Sequence, residues 1–178
     1  MRELVPRAAF ELRPDVADAL RRAMGSERSE RGRAVLAQLV DNAAIARRDA
    51  VPLCQDTGTV WVSVLLGRGE TLSGDVQAAV DAAVAAAYRE AGLRMSVVRD
   101  ALFDRENTGD NTPAFVDIGW RDGTGATVTV MLKGGGSDNA SRVVMLAPGD
   151  GLDGVERVVL ETVRETFTDE RIAAQTGG

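Results

Sequence analysis

The run Thr59 to Leu66, TVWVSVLL, is rich in β-branched side chains and almost entirely apolar. Such a segment forms a buried strand, so other elements must pair with it and cover it. An Ala-rich helix follows, capped by Ser73 or Asp75, with Val76, Val80, Val84 and Tyr88 repeating every four residues. Pro113 to Trp120 and Ala126 to Leu132 read as two further strands, and Arg121-Asp122-Gly123-Thr124-Gly125 between them reads as a hairpin turn. Upstream, Pro14 to Met24 reads as a helix with Pro near its start and Gly25 past its end. Val35, Leu36, Leu39, Val40 and Ala43 lie on one face of a second helix. Downstream, a short strand through Val143 to Met145 and a last helix carrying Leu152, Val155, Val159 and Val163 complete the pattern. The expectation is an α/β (mixed α+β) fold: one domain over residues 1–165, a mixed or antiparallel sheet flanked by helices, and a mobile tail over 166–178.

A length of 178 residues suits one domain with a real core. Aromatics make up only 4%, so Val, Leu and Ala must fill most of it. With 21 basic against 27 acidic residues the net charge is −6, which argues against nucleic acid or an anionic membrane as the main partner. Any anionic ligand must be held by a local cluster of donors. No apolar run reaches the roughly 18 residues of a membrane helix, and Met1 to Arg13 lacks the features of a signal peptide. A cytoplasmic location is therefore expected. The chain has one cysteine and no histidine. Ser-His and Cys-His pairs are excluded, and acid–base work falls to Asp, Glu, Lys or Thr.

Three polar clusters exceed what packing requires. Leu53-Cys54-Gln55-Asp56-Thr57-Gly58 sets a thiol, an amide, an acid and a hydroxyl in succession before a core strand. Its plain reading is a small buried thiol and an Asp that forms a turn. Asn107-Thr108-Gly109-Asp110-Asn111-Thr112-Pro113 precedes a strand and is rich in ordinary turn formers. Lys133-Gly134-Gly135-Gly136-Ser137-Asp138-Asn139 follows a strand, and its glycines suit either a surface loop or a close backbone approach to an anion. Lys133 precedes the glycines, so the phosphate-binding P-loop pattern fails. Together the clusters gather a thiol, a carboxylate, an amine and backbone donors at strand ends.

With Leu93-Arg94-Met95-Ser96, and in this order and spacing, these runs resemble class I fumarases and iron–sulfur tartrate dehydratases. The resemblance is to their N-terminal or α-subunit portion, from about Arg33 to Arg164. It implies a hydro-lyase whose [4Fe–4S] cluster, held by three cysteines, leaves one iron open to the substrate hydroxyl. It also implies that Cys54 is a cluster ligand, that Asp56 takes part in acid–base chemistry, and that Gln55 contacts substrate. Arg94 would bind a substrate carboxylate, and Lys133 with the Gly134 to Gly136 loop would meet the substrate, Gly135 and Gly136 through backbone N–H groups.

Where the family carries further cysteines, this chain reads Thr166-Phe167-Thr168-Asp169. A cluster is therefore expected only if other cysteines come from outside the chain. The resemblance implies a component of a dicarboxylate hydro-lyase completed by a second subunit or by the rest of the enzyme, in a dimer or hetero-oligomer. The alternative is a non-catalytic paralogue that binds a dicarboxylate or serves assembly.

Overall fold

In the computed structural model, which describes residues 1–135 and 141–166, the apolar run becomes strand β1 (Thr59–Leu66). Val60, Val62, Val64 and Leu66 point to one face and are buried. This is the two-residue period of a strand. β2 (Phe115–Trp120) pairs parallel to β1, with Trp61 opposite Phe115 and Leu66 opposite Trp120. β3 (Ala126–Lys133) pairs antiparallel on the other side, with Thr59 opposite Lys133. The sheet is thus mixed, in the order β2-β1-β3.

That order corrects the expected hairpin. β2 and β3 follow one another along the chain, yet they do not pair. Central β1 separates them, and their connection crosses over the point where β1 leaves the sheet. Gly67 N–H donates to the Gly125 carbonyl at 2.8 Å, and Arg68 N–H to that of Gly123 at 2.7 Å. A Cβ at Gly67 would stand 2.6 Å from the Gly123 oxygen, so only glycine admits this crossing.

The buried face packs against α1 (Leu4–Phe10) and α4 (Val76–Glu90), which contribute Val5, Ala9, Val80, Val84, Ala87 and Tyr88 to the core. Asp75 caps α4 by accepting from the Ala78 amide at 2.9 Å. α1 was not foreseen from the sequence, because seven residues carry too little periodicity to announce a helix. α2 (Pro14–Ser26) and α3 (Glu30–Asp49) lie against one another at the N-terminal end of the fold. Arg47 and Arg48 occupy the last turn of α3, the position that suits cations.

Residues Met1–Gly134 form one compact unit and Gly135–Gly178 a second. In the second, a 3-10 turn (Pro148–Asp150) leads into α5 (Gly151–Thr166). The expected strand through Val143 to Met145 does not form. The segment is irregular, and the break at Pro148 to Gly151 leads directly into the helix. The expected mobile tail, 166–178, lies almost wholly outside the described residues. Among the described residues, no helix is long and apolar enough to cross a membrane.

Tyr88 is the largest side chain sealed in this core, and its hydroxyl donates to the Thr57 carbonyl at 2.8 Å. Burial chiefly pushes its phenol up to about 12. Replacing Tyr88 by Phe leaves buried carbonyls short of a donor, so a stability loss of about 1–3 kcal/mol is expected at neutral pH. The native protein should also lose stability between pH 10 and about 12, where the unfolded phenol ionises and the folded one does not. Tyr88→Phe should lack that component. Denaturant melts at pH 7 and pH 11 check both effects, and an unchanged alkaline slope in the variant contradicts the assignment.

Candidate active site

α3 ends at Ala50, whose φ of 51° turns the chain out of the helix. Pro52 keeps it extended. The turn that follows is pinned by two backbone anchors. Leu53 N–H donates to the Ala9 carbonyl at 2.9 Å, and Asn42 donates from its amide to the Leu53 carbonyl at 2.9 Å. Cys54 and Gln55 are left exposed, Asp56 is half-buried, and Thr57 and Gly58 enter the interior. Gly58 has a φ of 62°, and a Cβ there would overlap the Lys133 carbonyl. The lead-in to β1 therefore lies directly on the end of β3. No other residue meets both demands.

This contact brings distant parts of the chain together. A Cβ built on Gly134 would stand 2.8 Å from Asp56 Oδ2, so the carboxylate rests against the first glycine of the loop. Asp56 Oδ1 lies 3.8 Å from the Arg94 guanidinium, which is well exposed. Lys133 Nζ folds back to donate to the Gly134 carbonyl at 3.2 Å. Asp56, Arg94, Lys133 and Gly134 thus share the end of the sheet where β1 and β2 begin and β3 finishes. In open parallel sheets, ligands usually gather at the opposite end, beyond the carboxyl ends of the strands. Gly135 begins the second unit, and Gly136 lies outside the described residues.

The Asn107 to Pro113 segment forms the wall behind this site. Thr108 N–H donates to the Val97 carbonyl at 3.0 Å, and Asn107 donates from its side chain to Met95 at 2.9 Å. Asp110 accepts from both the hydroxyl and the amide of Thr112, at 2.8 and 3.0 Å. Burial raises its pKa, but the Thr112 bonds and the Arg89 charge outweigh that and hold the carboxyl below the usual range. Asp110 is therefore ionised and occupied within its own loop. The segment ends in a cis Thr112-Pro113 bond.

The fumarate hydratase (Fumerase) family model matches residues 1–170. The chain belongs to that family. It is 34% identical over 168 residues to the putative L(+)-tartrate dehydratase subunit alpha of Methanocaldococcus jannaschii, covering 90% of this chain and 58% of that protein. It is 34% identical over 153 residues to L(+)-tartrate dehydratase subunit alpha of Escherichia coli strain UTI89, covering 84% of this chain and 50% of that protein. The chain thus spans about half the length of the curated relatives it matches.

Against this family background, the fit of an iron–sulfur cluster is decided by counting donors. Cys54 is the chain's sole cysteine, and it is exposed. Among the described residues, no group of three His, Cys, Asp or Glu side chains gathers to hold a metal. The chain's own residues do not fit a cluster that needs three thiolates. A cavity of about 510 Å³ between α2 and α3, lined by Leu20, Val40 and Arg47 among others, includes none of the site residues.

Sequence reasoning picked out the Thr57 hydroxyl in the first polar cluster but gave no role to Thr57, Tyr88 or Asn111, the buried polar groups beneath the site. Tyr88 was hidden in the apolar stripe of α4, where it reads as packing. Asn111 was hidden among turn formers, and its burial is a tertiary fact.

Proposed function

We propose that this chain is the α-type component of a hydro-lyase that adds water to, or removes it from, a small dicarboxylate of the fumarate or tartrate kind. The observation that carries this reading is the placement of the Asp56 carboxylate 3.8 Å from the Arg94 guanidinium and against Gly134. Arg94 offers a planar fork that pairs with one carboxylate of the substrate. Beside it, Asp56 is placed to move the weakly acidic proton next to that carboxylate, and no histidine in this chain competes for the role. Gln55, exposed in the same turn, and Lys133, at the end of β3, supply further polar contacts to the second carboxylate.

In this reading a second subunit or the remaining part of the enzyme supplies the other cysteines, and the names of the relatives, subunit alpha, support a partner. Cys54 would hold such a cluster by one thiolate, and the chemistry the cluster would supply is Lewis-acid activation of the substrate oxygen.

The test uses the complex of this chain with the rest of its enzyme, purified without oxygen. Cys54→Ser is expected to remove cluster absorbance and to lower L(+)-tartrate and fumarate turnover at least about a thousandfold, the loss of several kcal/mol of transition-state stabilisation. A Cys54→Ser complex with full iron content and turnover refutes the ligand role of Cys54, whereas a native complex with neither iron nor turnover refutes the hydro-lyase reading and favours the non-catalytic, cluster-free paralogue.

A further inference from the structure

Asp56 and Arg94 come from separate stretches of the chain, one before β1 and the other past the end of α4. Their side chains touch only loosely, at 3.8 Å in an exposed setting, so that contact does not hold the two stretches in place. A buried side chain joins them. Asn111 Nδ2 donates to the Gly58 carbonyl at 3.0 Å, two residues beyond Asp56. Its Oδ1 accepts from the amides of Ser96 at 2.7 Å and Val97 at 3.2 Å, just beyond Arg94. Asn111 is 0% exposed and so cannot itself reach a ligand. Thr57 adds a second tie, donating from its hydroxyl to the Arg94 carbonyl, while Tyr88 donates to the Thr57 carbonyl.

The residue type follows from these bonds. One side chain must donate on one edge and accept on the other, as a primary amide does. Asp would set acceptors against the Gly58 carbonyl. The backbone at Asn111 has a φ of 61°, which Asn tolerates better than most residues and glycine tolerates freely.

We propose that Asn111 is a positioning residue whose buried amide locks the Asp56 turn to the Arg94 segment and sets the spacing at which the two groups meet a dicarboxylate. This rests on the site reading given above.

Glycine at this position keeps the backbone geometry and removes the tie, so Asn111→Gly separates the two reasons for having Asn. Amide hydrogen exchange and NMR titration with L(+)-tartrate provide the readouts. In the native chain the Ser96 and Val97 amides should be protected, and tartrate should shift the Asp56 and Arg94 signals. In Asn111→Gly those two amides should exchange at least about tenfold faster relative to amides of β1 and α4, and tartrate affinity should fall by about tenfold or more. Thr57→Ser, which keeps its hydroxyl, should bind tartrate better than Thr57→Val.

Unprotected Ser96 and Val97 amides in the native chain overturn the tie without any variant. Equal acceleration across the whole chain in Asn111→Gly makes the residue merely structural. Local loss of protection with unchanged tartrate affinity overturns the positioning role. A native chain with protected amides but no response to tartrate removes the dicarboxylate reading instead, and the positioning role with it.

Discussion

Supplied with iron and sulfide in the absence of oxygen, the 178-residue chain alone is expected to hydrate fumarate at least about a thousandfold more slowly than the completed enzyme. The reason is ligand count. A cluster with one open iron needs three thiolates, and Cys54 is one. Three copies meeting on an axis would supply three thiolates, but each Arg94 and Asp56 would then face the cluster from a symmetry-related position. A single substrate has no use for three equivalent sites. Activity should return when a partner brings the remaining cysteines, and the measurement is fumarate absorbance with and without that partner. Robust turnover by the chain alone, persisting in a chelator, would falsify the cluster-dependent reading and point to metal-free acid–base chemistry at Asp56.

Asp56→Asn in the completed enzyme should lower kcat by about 10²- to 10⁴-fold, the range of a lost general acid or base. The substitution is nearly isosteric, so the fit against Gly134 survives. It also deletes a negative charge beside the Arg94 guanidinium, where the proposed function has a dianionic substrate bind. KM for tartrate should therefore stay level or fall while kcat collapses. Steady-state kinetics separate the two effects. A rise in KM with kcat intact would make Asp56 a binding residue, and unchanged kinetics would remove it from the machinery.

Much of the fold was legible along the chain because it is set locally. β1 as an apolar strand follows from TVWVSVLL, although it is buried on one face only, and the α4 core stripe follows from residues at Val76, Val80, Val84 and Tyr88. The family resemblance was carried by short polar runs whose residue types are readable without any structure, and the family match bears it out. Their roles at the site remain for the experiments above.

Tertiary structure decided what depends on partners distant in sequence. The five residues Arg121 to Gly125 look the same whether they close a hairpin or step across a third strand, because turn chemistry reports only a reversal of direction. The most apolar strand takes the centre of the sheet because only there is it paired on both sides, which leaves β2 and β3 as edges. The same limit applies beneath the site. Asn111 reads as a turn former until its amide is seen between Gly58 and Ser96, since a hydrogen bond across the fold leaves no periodic signal in the chain.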